Sequence, residues 1–88
     1  MVYSVDYTKS AYKDLKKLDS QTRKLILSWI EKNLVNCSDP RIHGKALRGN
    51  LRDEWRYRVG DYRILANIQD DKILILVLKI GHRREIYD

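Results

Sequence analysis

Arg56, Arg58, Arg63 and Arg83 fall, together with His82 and Tyr87, in the last third of an 88-residue chain. Arginine carries a planar, permanently charged fork of donors, which suits it to gripping phosphate. Its distribution is uneven: eight of the nine arginines follow residue 40, whereas six of the nine lysines precede it. The early lysines read as solvated helix surface and the arginines as placed groups. Other catalytic sets are missing from the sequence, which has no glycine-rich phosphate loop, no paired cysteines, no H-E-x-x-H helix and no Ser-His-Asp elbow. Cys37, His43 and His82 have no zinc spacing and the acidic residues are dispersed, so neither a metal nor a cofactor is expected. What remains is arginine, histidine, tyrosine and isolated glutamates. That set suits cleavage of an RNA phosphodiester by its own 2′-hydroxyl, because the nucleophile then belongs to the substrate. The protein has only to hold the phosphate in line, stabilise the added negative charge and handle two protons. Clustered guanidiniums serve the first two needs; His82 or Tyr87 could move protons, or stack on a splayed base.

Each of these residues also has a plain structural reading. Arg56 and Arg58 could keep a strand edge soluble, and Arg63 could pair with Asp61 or Glu54. His82 could end a strand, and Tyr87 could fill core. Convergence of all of them on one part of a sheet is what favours chemistry, so the elements that position them decide the matter.

Val2 to Tyr7 alternates as a half-buried strand. Thr8 or Ser10 can cap a helix whose apolar stripe is Ala11, Leu15 and Leu18, with Lys9, Lys13, Lys16 and Lys17 on its other side. Asp19 and Ser20 restart a second helix, with Leu25, Ile26, Trp29, Ile30 and Leu34 as its expected buried face. Asn36 to Gly44, with Pro40, reads as loop. The period then changes to two. Trp55, Tyr57 and Val59 oppose Arg56 and Arg58, and Gly60-Asp61 makes a two-residue hairpin turn. Tyr62, Ile64, Ala66 and Ile68 oppose Arg63, Leu65 and Asn67. Asp70-Asp71 is a weaker turn, Ile73 to Ile80 is a central strand apolar on both faces, Gly81 interrupts it, and Arg84 to Tyr87 adds a short final strand. The order β-α-α-β-β-β predicts an α+β fold of one domain, residues 1–88. Two helices from the amino-terminal half pack on one face of a small, mainly antiparallel twisted sheet. Arg56, Arg58 and Arg63 then share the open face, provided the register sets Arg63 beside one of the others.

A net charge of +6 predicts attraction to polyanions, with RNA, DNA and acidic proteins as candidates. Cys37 is the lone cysteine, so no intramolecular disulfide forms and a reducing cytoplasm is expected. The thiol reads as buried or incidental. No apolar run approaches about 18 residues, so no membrane span is expected.

Several segments carry a resemblance. They are V-Y-S-V-D-Y at the start, A-Y-K-D-L-K-K-L-D in the first helix, D-P-R-x-x-G-K-A-L-R-G after the second, W-R-Y-R-V-G-D-Y-R-I-L, and K-I-G-H-R-R-E-I-Y at the end. Over essentially its whole length the chain resembles the RelE/ParE superfamily of type II toxins, and specifically the RelE branch. The resemblance implies a messenger-RNA interferase that acts on the ribosome, cuts A-site codons to a 2′,3′-cyclic phosphate and a 5′-hydroxyl, and is neutralised by a cognate antitoxin. By motif, Arg63 would grip the scissile phosphate and Arg83 would stabilise the transition state or leaving oxygen. Tyr87 would orient the nucleotide. Lys45, Arg48, Arg56 and Arg58 would bind RNA. Arg56 and Arg58 stand where some relatives carry lysines credited with proton abstraction, and arginine does not give up its proton under ordinary conditions. His82 is then the first substitute for the base, with Glu54, Glu85 or a phosphate-bound water behind it. Two other readings use the same scaffold: a ParE-like poison of DNA gyrase, and a non-enzymatic basic partner of an antitoxin.

Overall fold

A computed structural model of the protein describes residues 1–47 and 54–86. The first strand, β1, covers Ser4–Tyr7. Thr8 ends it and caps helix α1 (Lys9–Lys17), its hydroxyl accepting the Ala11 N–H. Asp19 caps α2 (Ser20–Asn33) in the same way through the Thr22 N–H. Arg23, one turn into α2, donates to the Leu15 and Leu18 carbonyls and so closes the exposed end of α1. Four strands follow: β2 (Lys45–Ala46), β3 (Glu54–Val59), β4 (Tyr62–Gln69) and β5 (Leu74–His82). The sheet order is β1-β5-β4-β3-β2, with β1 parallel to β5 and the other pairs antiparallel.

The expected α+β architecture is the one observed, with both helices on one face of the sheet. Ala11, Leu15, Ile26, Ile30 and Leu34 pack against Tyr57, Val59, Ile64, Ala66, Ile75, Val77 and Ile80 to form the core. The loop between α2 and β2 is tied down at several points. The Tyr57 hydroxyl donates to the Pro40 carbonyl at 2.7 Å, and the Trp55 indole donates to the His43 carbonyl. Arg41 makes a two-pronged contact with Asp70 at 3.0 and 3.1 Å, and Tyr3 donates to the same carboxylate. Hydrogen bonds from Arg41, then Tyr3, hold the Asp70 carboxyl below the usual range. Gly44, at φ +77°, follows the loop, and a Cβ there would collide with the Arg56 carbonyl. That close approach delivers Lys45 to the edge of β3.

Six details depart from the sequence reading. β1 is shorter at its start, and β2 is an additional strand. Leu25 is 57% exposed and does not join the buried face of α2. Ile73 belongs to the turn before β5, at φ +51°, because the connection is longer than Asp70-Asp71 alone. At the other end β5 runs through Gly81 to His82, and residues 83–85 form a turn where a strand was expected. The Glu85 and Ile86 N–H groups both donate to the His82 carbonyl, and Ile86 folds back over Gly81, 3% exposed.

One irregularity matters for the site. Ala66 lies opposite Val77 but Leu65 lies opposite Lys79, so Leu78 is an extra residue, a β-bulge in β5. Before the bulge, the odd-numbered Ile75 and Val77 face the helices. After it, Ile80 and His82 do, while Lys79 and Gly81 face the other way.

Candidate functional site

Successive residues of a strand point to opposite faces, and residues paired across strands share a face. The register is therefore enough to sort the candidate residues. Arg58 lies directly opposite Arg63, Arg56 lies opposite Lys45 and Leu65, and Gly81 lies opposite Arg63. These residues, with Glu54 at the start of β3, occupy the face away from the helices. The condition set by the sequence, that Arg63 stand beside Arg56 or Arg58, is met through Arg58. A cleft of about 240 Å³ lined by Gly44, Lys45, Arg56 and Arg58 opens on the β2–β3 side.

Arg63 is the unusual member. It is 6% exposed, and one terminal nitrogen donates to the Gly60 and Tyr62 carbonyls, each at 3.1 Å. Its buried Nε has no acceptor among the described residues. No carboxylate of the described residues pairs with it, neither Asp61 nor Glu54. A buried guanidinium with a donor unmet is costly, and native proteins keep such groups where something else supplies the acceptor. A second basic side chain directly opposite adds like-charge repulsion. Both costs would fall if an anion lay between Arg58 and Arg63.

Arg83 reaches the same region from the other side. Its N–H donates to the Asp61 carbonyl at 2.8 Å, so the carboxyl-terminal turn is pinned to the Gly60-Asp61 hairpin that Arg63 also grips. Its side chain meets the Asp61 carboxylate only at 3.9 Å, with the two groups 58% and 68% exposed. Such a pair is weak and screened, and it leaves the guanidinium available to a stronger anion.

The other candidates separate. His82 lies opposite Tyr62 on the helix-side face, its ring edge-on to the tyrosine at 5.4 Å. Its Nδ1 accepts the Arg84 N–H, an arrangement that assigns the ring proton to Nε2. Glu54 shares the arginine face but is four residues along β3 from Arg58, roughly 14 Å away at ~3.4 Å per residue. Its Oε2 is buried without a partner. Glu85 is nearer to Arg63: its Cβ lies 3.7 Å from where a Gly81 Cβ would stand, and its Oε1 accepts the His82 N–H at 3.0 Å. The glycine in G-H-R-R was the sequence signal for this approach, since only a missing side chain lets the terminal turn lie so close to the sheet. Tyr87 and Arg48 lie outside the described residues. Cys37 is half-buried, and burial pushes its thiol up, away from nucleophilic use. No group of three or more histidine, cysteine or acidic side chains among the described residues could hold a metal ion, and none of their helices is long and apolar enough to cross a membrane.

Comparison with known proteins identifies the family of the chain. The family described as the ParE toxin of the type II toxin–antitoxin system parDE matches residues 5–87. Toxin RelG of Mycobacterium tuberculosis is 32% identical over 87 residues, covering 99% of this chain and 98% of that protein. The mRNA interferase toxin RelE of Escherichia coli is 30% identical over 92 residues, covering 99% and 92%. Among solved structures, the RelBE2 toxin–antitoxin complex of M. tuberculosis superposes with a TM-score of 0.83 at 30% identity, covering 94% of this chain and 93% of that one. The isolated E. coli RelE toxin gives 0.75 at 27%, covering 91% and 83%. The chain belongs to the RelE/ParE superfamily of type II toxins.

Proposed function

We propose that this toxin is a ribosome-dependent endoribonuclease that cuts messenger RNA at A-site codons, and that a cognate antitoxin neutralises it. The observation that carries the reading is the buried, partly unsatisfied Arg63 guanidinium standing across from Arg58 on an otherwise open sheet face. In this mechanism the scissile phosphate lies against Arg58 and Arg63, with Arg83 reaching it from the terminal turn. The substrate 2′-oxygen attacks the adjacent phosphorus and forms the 2′-O–P bond as the P–O5′ bond breaks. The products are a 2′,3′-cyclic phosphate and a 5′-hydroxyl. One proton leaves the 2′-hydroxyl and one is delivered to the departing 5′-oxygen. The guanidiniums stabilise the charge that builds on the phosphoryl oxygens, an effect typically worth ~10²–10³ in rate for each donor. Glu85, beside Gly81 and Arg63, takes the 2′-proton in this scheme in preference to His82, which faces the helix side. Tyr87 orients the nucleotide, and Lys45, Arg48 and Arg56 hold the flanking RNA.

Two kinds of likeness support the reading: the E. coli relative bears the name mRNA interferase toxin, and several structural neighbours were solved as toxin–antitoxin complexes. The lysine-rich helices and the arginine face suit an antitoxin segment with acidic and apolar residues that folds as it binds. Binding to the ribosome releases counterions, so it weakens steeply with added salt.

Primer extension on a message translated in the presence of the toxin tests this directly. Codon-phased cuts with 5′-hydroxyl ends are expected. Intact message together with gyrase-linked DNA breaks would replace the reading with gyrase poisoning. Tight antitoxin binding without toxicity would leave only a binding partner.

A further inference from the structure

Thr8 and Asp14 take no part in the proposed chemistry, yet both reach across to the bulge in β5. The Thr8 hydroxyl donates to the Leu78 carbonyl at 2.9 Å while accepting the Ala11 N–H at 3.1 Å. Asp14 accepts the Ile80 N–H at 2.9 Å, and Lys79 lies 3.7 Å from the same oxygen. The Asp14 side chain is 14% exposed. These contacts begin where β1 stops: the last β1–β5 register pair is Tyr7 with Val77, and the Thr8 N–H still donates to the Val77 carbonyl. Beyond that point β5 has no neighbour on its β1 edge, and Thr8 and the α1 side chain Asp14 satisfy backbone groups a strand would have taken.

The position of the bulge decides which way the end of β5 faces. A strand has a side-chain period of two, so one inserted residue exchanges its faces. Without Leu78 as the extra residue, continuation from Val77 would turn Gly81 toward the helices and away from Arg63. Residues 74 to 78 are apolar throughout and tolerate either phase. Burial of Ile80 and exposure of Lys79 favour the observed phase, and the Thr8 and Asp14 hydrogen bonds hold the backbone groups on either side of the bulge that β1 no longer pairs.

We infer that Thr8 and Asp14 are positioning residues: by holding the bulge at Leu78 they fix the register that sets Gly81 against Arg63 and carries Arg83 to the hairpin turn. The inference rests on the proposed RNA-cleaving face for its functional consequence and on the hydrogen bonds alone for its structural one. The test compares the full chain with Asp14→Ala and Asp14→Asn variants. Cross-strand contacts between Arg63 and Gly81 and exchange of the Ile80 amide are followed by NMR, and cleavage is followed on ribosomes programmed with a defined message. In Asp14→Ala the Arg63–Gly81 contacts weaken and the Ile80 amide exchanges faster, while the Tyr57–Ile64 pair is unchanged. The kcat per folded molecule falls roughly tenfold or more, with KM for programmed ribosomes unchanged. Asp14→Asn keeps an acceptor and restores both. Unchanged Arg63–Gly81 contacts in Asp14→Ala would overturn the inference, as would an activity loss explained wholly by the unfolded fraction. If the wild-type chain cuts no RNA, the functional reading fails, but the NMR contacts still decide the structural one.

Discussion

On the helix side of the sheet, Tyr57, Ile64, Ala66 and Ile80 are sealed from solvent, and the Tyr57 hydroxyl donates to the Pro40 carbonyl. On the other side the same strands set Arg58 against Arg63, whose Nε has no acceptor among the described residues, and Arg56 against Lys45. One face satisfies the ordinary rules of packing and hydrogen bonding, and the other carries like charges side by side. The difference teaches where to look for function. A stable protein can tolerate a locally unfavourable arrangement when a ligand removes the cost.

Substitutions on the two faces should therefore fail in different ways. Arg83→Ala is expected to lower cleavage about 10²–10³-fold while leaving the melting temperature unchanged, because the side chain is exposed. Single-turnover assays beside thermal melts check this. Ile64→Ala, at the centre of the sealed face, should reverse the pattern. It costs about 2–5 kcal/mol of stability, read by denaturant unfolding, with cleavage per folded molecule preserved. Tyr57→Phe leaves the Pro40 carbonyl without its donor and should cost about 1–3 kcal/mol in the same measurement. A smaller effect comes from pH. Burial pushes the Tyr57 phenol well above its ordinary value of 10.0. A group whose pKa is raised in the folded state contributes its full stability below the unfolded value and loses it as pH rises toward the folded one. The Tyr57 contribution should thus hold up to about pH 10 and decline above it, and the decline should be shallower in Tyr57→Phe.

Much of this arrangement could be read from residue order. Clean alternation in Trp55–Val59 and Tyr62–Ile68, joined by Gly60-Asp61, determines both the hairpin register and the meeting of Arg58 with Arg63. The helix boundaries follow from Thr8 and Asp19 as caps. What could not be read lies in β5. A strand apolar on both faces has no visible period, so the bulge at Leu78 leaves no trace in the pattern, and the face of His82 and Gly81 depends on it. The terminal turn is hidden for a related reason: Ile86 looks like a strand residue until the bare surface at Gly81 gives it somewhere to pack. Leu25 fits the apolar stripe of α2 by spacing, yet it stands exposed at the surface.

Single-turnover cleavage by the wild type, Arg58→Ala, Arg63→Ala and the double variant tests most directly whether these two guanidiniums hold one phosphate. Each single change should slow the reaction, and the double variant should lose much less than the product of the two, because residues acting on one group are not additive. Cleavage by Arg63→Ala at the wild-type rate, or losses that multiply as for independent sites, would contradict the account.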